Sequence, residues 1–302
     1  MVVVLAGGTG GAKLARGMLD VVGGRELVVV ANTGDDIEVH GVHVSPDPDL
    51  IAYWLADTID ERGWGVAGDT WEVMGALEAA GRPVWFRLGD RDLAMCLVRT
   101  ELLRSGARLT DAHGEVVRGL GVEARVLPMA DEPVATWVKS RDEWRPFQEF
   151  MILERGAEPE AVEFRGAEAA KPPPEVLDAI EHADAIVIGP SNPVISIGPI
   201  LVVPGMRAAL AASRAPVVAV SPFVNGAVLK GPTEQFCRMA GLPLGAAAVD
   251  HAYAGVVDGV VADEPASSLP TLVVDVLMDT PEARARVARA ALEHVEDLRA
   301  RG

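Results

Sequence analysis

Apolar residues fall along this chain in short unbroken runs set between polar turns. Val2–Leu5 is the first run, and Leu27–Ala31, Ala185–Ile188, Val217–Val220 and Leu272–Leu277 repeat it. Continuous rather than alternating apolarity predicts strands covered on both faces, as in a parallel sheet. The stretch GVVDGVVAD, residues 255–263, predicts a further short strand. Between the strands the apolar period changes. Leu14, Met18, Leu19 and Val22 recur at helical spacing over 12–22, and PGMRAALAAS and TEQFCRMAG predict two later helices. A closing helix is predicted over Pro281–Arg299, with proline in its first turn behind Asp279–Thr280 as caps.

At the amino end these elements read strand, glycine turn, helix, strand. That is a βαβ unit with a right-handed crossover. The fold class expected is therefore α/β, a Rossmann-like open, mainly parallel sheet. Residues 1–48 and 171–302 form its nucleotide-binding core, with KPPPE at 171–175 as the return linker. Residues 49–170 form an insertion over the carboxyl edge of the sheet. It is helical from about Asp49 to Arg108, with Trp54, Trp64, Trp71 and Trp85, and short-stranded from Ala124 to Glu163.

Charge narrows the partners. The 302 residues include 44 acids and 27 bases, a formal charge of −17, so a polyanion is repelled and no nucleic-acid partner is expected. Cys96 and Cys237 are too few and too far apart for a zinc site or a disulfide framework, and buried free thiols are expected. The pattern contains neither a leader nor an apolar run of membrane length, so a cytoplasmic protein with no membrane partner is expected. His40, His43, His113, His182, His251 and His294 show no metal spacing, and nothing resembles a nucleophile elbow. Nucleophilic catalysis by the protein is disfavoured.

The candidate chemistry sits in the turns. Gly7, Gly8, Thr9, Gly10 and Gly11 end a strand and open a helix, with Lys13 behind them. Amides and the helix dipole there converge on one anion, which reads as a phosphate cradle; a tight turn without ligand is the alternative. ANTGDD offers Asn32, Thr33, Asp35 and Asp36, either to a ribose hydroxyl or simply as a capped turn. SPDPD places Asp47 and Asp49 just ahead of a helix. The pair reads equally as a magnesium site on a phosphate substrate or as a cap with surface charge. Arg87, Asp90, Arg91, Asp92 and Arg99 form an arginine–aspartate lattice, structural by default but suited to bidentate phosphate binding. IGPSNPVISIGP adds Gly189, Ser191, Asn192 and Ser196, and SPFVNGAVLKGP adds Ser221, Asn225 and Lys230. Such turns from one sheet are expected to surround a crevice at its topological switch point.

As an ordered set, LAGGTGGAKLARG, ANTGDD, SPDPD, LGDRDLA, LPMADEPVATWV, IGPSNPVISIGPIL and VAVSPFVNGAVLKGP resemble the 2-phospho-L-lactate transferase family from Val2 to about Met278. The resemblance implies a magnesium-dependent transferase of coenzyme F420 biosynthesis, working as a homodimer on small molecules. Its donor is a guanosine diphosphate adduct of lactate or enolpyruvate, its acceptor the deazaflavin Fo, and GMP is released. It further implies that Asp49 and Arg91 contact the deazaflavin or the reacting phosphate and act in catalysis. Gly8, Thr9, Gly10, Gly11, Lys13, Asn32, Gly189, Ser191 and Asn192 are implied to hold the nucleotide and its phosphates, and Asp49 with Asp47 the magnesium. Met95–Cys96 departs from the polar pair that commonly follows GDRDLA, which shifts weight onto Arg91. Two other classes share parts of the pattern: a non-enzymatic nucleotide-binding regulator of the cell-wall-growth group, and an NAD-dependent oxidoreductase. The glycine register does not suit the latter.

Overall fold

The computed structural model describes every residue except Gly156, Lys230 and Gly302. Seven parallel strands form the main sheet: β1 (Val2–Ala6), β2 (Leu27–Ala31), β3 (Arg125–Pro128), β4 (Ala185–Ile188), β5 (Val217–Val220), β6 (Gly259–Ala262) and β7 (Thr271–Val273). Their spatial order is β3-β2-β1-β4-β5-β6-β7. Val2 of β1 lies between Leu27 of β2 and Ala185 of β4, and from that pair the chain winds outward both ways. Strand order thus reverses between β1 and β4, the switch point of a doubly wound sheet.

Alternate residues of each buried strand feed separate cores. Val3 and Leu5 pack with the helices Pro174–Glu181, Met206–Ala212 and Ala246–Ala252. Val2, Val4 and Ala6 pack with α1 (Gly8–Val22), α2 (Pro46–Leu55) and the closing helix α5 (Pro281–Arg299). That continuous apolarity serves two layers at once. Helices α1 and α5 meet closely at Gly17, where a Cβ would lie 2.4 Å from the Arg284 carbonyl oxygen. The Thr280 hydroxyl caps α5 by accepting from the Ala283 amide at 3.2 Å.

Three elements differ from expectation. The helix after the glycines begins at Gly8, so the glycine turn is itself the first turn of α1. The strand expected over Leu272–Leu277 closes at Val273. Asp275 there accepts from the Leu277 amide and from Arg286, which bends the chain and sends Val276 and Met278 into the core. Finally, β3 lies within 49–170 yet forms an edge of the core sheet, paired only to β2. Only Val126 and Leu127 are apolar and non-proline in its four residues, between Arg125 and Pro128, so no unbroken apolar run marks it as a core strand.

The remainder of 49–170 stands at the carboxyl side of the strands. It comprises the helix Glu72–Ala79, α3 (Asp90–Arg104), α4 (Leu109–Gly119) and a three-stranded antiparallel sheet with Ala135–Ser140 in the middle. No helix among the described residues is long and apolar enough to cross a membrane.

Candidate active site

The turns after β1 and β4 face each other across the switch point. A Cβ on Gly10 would lie 2.0 Å from the Pro190 carbonyl oxygen, and one on Gly11 would lie 2.7 Å from Ser191 Oγ. A Cβ on Gly189 would fall 3.0 Å from Gly11 Cα. These three glycines therefore let two backbone turns touch. Gly8 differs: its φ is +62°, and the nearest neighbour of its Cβ position is Ser196 Oγ at 3.7 Å. Here the backbone conformation, and not space, calls for glycine. The amides of Thr9 and Gly10, in the first turn of α1, have no intrahelical acceptor and sit at the positive end of its dipole.

The Gly8 amide has an anion already. It donates to Asp47 Oδ1 at 2.7 Å, while Asn32 Nδ2 donates to Asp47 Oδ2 at 2.9 Å and to Asp35 Oδ1 at 3.3 Å. Asn32 Oδ1 accepts from the Gly34 amide at 2.8 Å, so Asn32 makes its turn and also joins two acids. Gln148 Nε2 donates to Asp35 Oδ2 at 2.9 Å. Among the described residues no basic side chain pairs with Asp35 or Asp47. Burial, then the charge of Asp47, pushes Asp35 well above the usual carboxylate range. Burial likewise pushes Asp47 up to about 6. Asp36 is also raised by burial, opposed by His43 Nε2 at 3.0 Å, and it accepts from Ser45 Oγ at 2.8 Å. Asn192 Oδ1 accepts from the Val194 and Ile195 amides, while its buried Nδ2, like the buried Thr33 Oγ1, has no hydrogen-bond partner among the described residues.

Asp49 lies elsewhere. Both aspartates fall inside the first turn of α2, which starts at Pro46, and they are buried at 7% and 3% exposure rather than forming a surface cap. Residues two apart on a helix point to opposite sides. Asp47 turns to the crevice, whereas Asp49 turns to α3 and α4. There Arg99, with no exposed surface, grips both its oxygens, Nη1 on Oδ2 at 3.0 Å and Nη2 on Oδ1. Arg99 also donates to the His43 carbonyl at 3.3 Å and to His113 Nδ1 at 3.4 Å. Burial and the guanidinium hold His113 well below its ordinary range, so it is neutral.

Asp92 stands beside this pair. Ligand atoms of Asp49, Asp92 and Cys96 lie within 4.8 Å of one another. Asp92 Oδ1 accepts from the Tyr53 hydroxyl at 2.6 Å, and burial together with the Asp49 charge pushes Asp92 up to about 6. Burial and Asp49 also push the Cys96 thiol up, and Cys96 and Cys237 are both buried and free.

The GDRD segment is held by reciprocal caps. Asp69 accepts from the Arg91 and Asp92 amides at the start of α3, and Asp90 accepts from the Glu72 and Val73 amides at the start of Glu72–Ala79. Gly89 is required because a Cβ there would meet Asp69 Oδ2 at 2.1 Å. Arg91 is thereby presented, exposed, with Nη1 reaching the Ala67 carbonyl at 3.4 Å. Arg87 instead stacks 5.7 Å from the Trp71 ring centroid and pairs with Glu78. Lys13 points to Trp54, its Nζ 6.0 Å from the ring centroid. Ser196 packs on Gly7, Ser221 Oγ accepts from the Phe223 amide, and Asn225 turns a small hairpin and bonds Asp263. Lys230 lies outside the described residues.

Magnesium fits one of the two acid groups. Asp35 and Asp47 offer hard oxygens beside the amide cradle with no base to balance them. Asp49 is occupied by Arg99, and its neighbour Cys96 is a poor ligand for that ion. Sequence reasoning offered Asp35 to a ribose hydroxyl or a capped turn and not beside Asp47, and it missed Tyr53, Asp69, His113 and Gln148. For Asp35 the adjacent acids of ANTGDD were the available signal; the other four lie in ordinary-looking helix and loop positions.

Comparison with known proteins gives the fold and the family. In fold, the chain is similar to the solved structure of protein BH3568 from Bacillus halodurans, with TM-score 0.64, 20% identity, and 96% and 98% of the two chains covered. It is 41% identical over 316 residues to a phosphoenolpyruvate transferase of Kitasatospora aureofaciens, covering 99% of this chain and 98% of the relative. It is 38% identical over 265 residues to a 2-phospho-L-lactate transferase of Methanosarcina mazei, covering 87% and 86%. The family described as 2-phospho-L-lactate transferase CofD matches residues 2–291. With its switch-point crevice and this match over almost its whole length, the chain belongs to the 2-phospho-L-lactate transferase family.

Proposed function

We propose that this transferase moves a phospholactyl or phosphoenolpyruvyl group from a guanosine diphosphate adduct to the primary alcohol of the deazaflavin Fo, releasing GMP, in the synthesis of coenzyme F420. The donor is lactyl-2-diphospho-5'-guanosine or its enolpyruvoyl counterpart. One observation carries the reading: at the switch point the first amide of α1, that of Gly8, meets buried Asp47, which Asn32 joins to buried Asp35, and no basic side chain among the described residues pairs with either acid. An amide cradle takes phosphate oxygens, and acids without a base beside it take a cation shared with those oxygens. Phosphoryl transfer asks an enzyme for positioning and charge balance rather than a covalent nucleophile.

In this reading Gly8, Thr9, Gly10 and Gly11 with Gly189 and Ser191 enclose the diphosphate. The unpartnered Asn192 Nδ2 donates to a nucleotide oxygen. Asp47, with Asp35, would hold magnesium, which neutralises phosphate charge when bound. Lys13 and Asn32 border the phosphates. Arg91, exposed at the start of α3, balances charge on the transferred phosphoryl group, and its guanidinium fork suits two oxygens at once. Asp49 borders the acceptor side with its charge paired to Arg99. The active species is a homodimer.

The test follows GMP release with and without Fo, with each donor, in magnesium and after EDTA. Release that requires both Fo and magnesium is expected. Release independent of Fo would make the protein a hydrolase, and the transfer reading would fall.

A further inference from the structure

The acceptor's hydroxyl must lose a proton as its oxygen attacks phosphorus, and the carboxylates of Asp49 and Asp92 lie together where α2 meets the start of α3. They are not equivalent. Asp49 is 3% exposed and both its oxygens are held by Arg99. A carboxylate gripped bidentately by a guanidinium inside a protein has its lone pairs spent and its charge balanced. Asp92 is half-buried, directly follows Arg91, and uses only Oδ1, on the Tyr53 hydroxyl; no hydrogen bond among the described residues ends on its Oδ2. Asp69 fixes its backbone by accepting from the Asp92 amide at 3.2 Å.

We infer that Asp92 is the catalytic residue that receives the acceptor's proton, through Oδ2, and that Arg99 and Asp49 are positioning residues that wall it in. This rests on the transfer reading above. In the step, the acceptor hydroxyl oxygen forms a bond to the donor phosphorus next to the three-carbon acid. The bond from that phosphorus to the bridging oxygen breaks, and GMP leaves with the electron pair. The hydroxyl proton passes to Asp92 Oδ2 and from there to water. Tyr53, donating to Oδ1, keeps Oδ2 turned to the acceptor, while the ion pair behind keeps Asp49 from competing for the proton.

Asp92→Asn retains the Tyr53 contact and the size of the side chain, so it is the direct test, with Asp49→Asn beside it. A general base contributes about 10²–10⁴-fold. Asp92→Asn is expected to lower kcat by about that factor, with GDP affinity and the thermal midpoint close to the parent's. Asp49→Asn is expected to lower the thermal midpoint while keeping, at a temperature where it is folded, more than about a tenth of the parent kcat. The inference is overturned if Asp92→Asn turns over within about threefold of the parent. It is overturned equally if Asp49→Asn, folded and binding GDP, loses as much as Asp92→Asn. A parent protein that releases no GMP in response to Fo would instead refute the transfer reading, and this inference with it.

Discussion

Asp47 and Asp49 sit two residues apart on one helical turn, yet they belong to two differently built halves of the site. On the sheet side, backbone does the work. Gly10, Gly11 and Gly189 bring two turns into contact, the Gly8 amide donates to Asp47, and no base among the described residues pairs with Asp35 or Asp47. On the insertion side, side chains do the work, and Asp49 is compensated in full by a buried guanidinium. In the transfer reading proposed above the first half takes a cation, whereas the second already has its counter-charge. An acid's role at such a site follows from which partner it already has.

The largest expected effect breaks the completed half. Arg99→Met leaves Asp49 buried and unpaired, which costs about 3–5 kcal/mol of stability, read as a lower midpoint in urea. Adding Asp49→Asn should recover most of that loss. A double variant no more stable than Arg99→Met would mean the ion pair does not explain the cost.

A second variant tests the backbone half. Gly10→Ala sets a Cβ 2.0 Å from the Pro190 oxygen, so one turn must move, at a cost of about 3 kcal/mol. GDP affinity should fall with it. Stability equal to the parent's in chemical denaturation would show the two turns do not depend on each other's contact.

The smallest effect is a change in pH dependence. Burial raises Asp47 from 3.8 to about 6, so the folded protein holds this proton more tightly than the unfolded chain. That contribution to stability is complete below about pH 4 and is lost as pH rises through about 6. Without magnesium, Asp47→Asn should therefore flatten this part of the pH dependence of stability, while its amide nitrogen, facing either the Gly8 amide or Asn32 Nδ2, gives up one buried hydrogen bond. Magnesium should raise the thermal midpoint of the parent more than that of the variant. A variant whose midpoint responds to magnesium as the parent's does would remove Asp47 from the cation site.

The strands of the core were legible because burial on both faces writes itself as unbroken apolar runs, as in Val2–Leu5 and Ala185–Ile188. β3 was not, since an edge strand of four residues ending in Arg125 and Pro128 carries no such run. The cradle was legible from Gly7–Gly11, but its reason was only half so. At Gly10 and Gly11 the missing side chain makes room for Pro190 and Ser191, a contact between residues far apart in sequence. The two halves of the site were least legible. Asp47 and Asp49 look like a pair in the sequence, and the helix beginning at Pro46 sends them apart. Nothing local told Arg99, sealed against Asp49, from Arg91, left open to ligand.

The pairing of Val2 with Ala185 has a consequence for how this protein is made. A ribosome finishes β1, α1 and β2 early, but the partner that packs against the glycine turn, Gly189–Ser191, arrives only after the whole insertion has been synthesised. Closing so long a loop before its contacts form is slow. Through that interval the unpaired edge of β1, a run of five apolar residues, stays open to any other extended chain. Nascent chains stalled before residue 185 should thus lean on chaperones in a way that chains released past residue 191 do not.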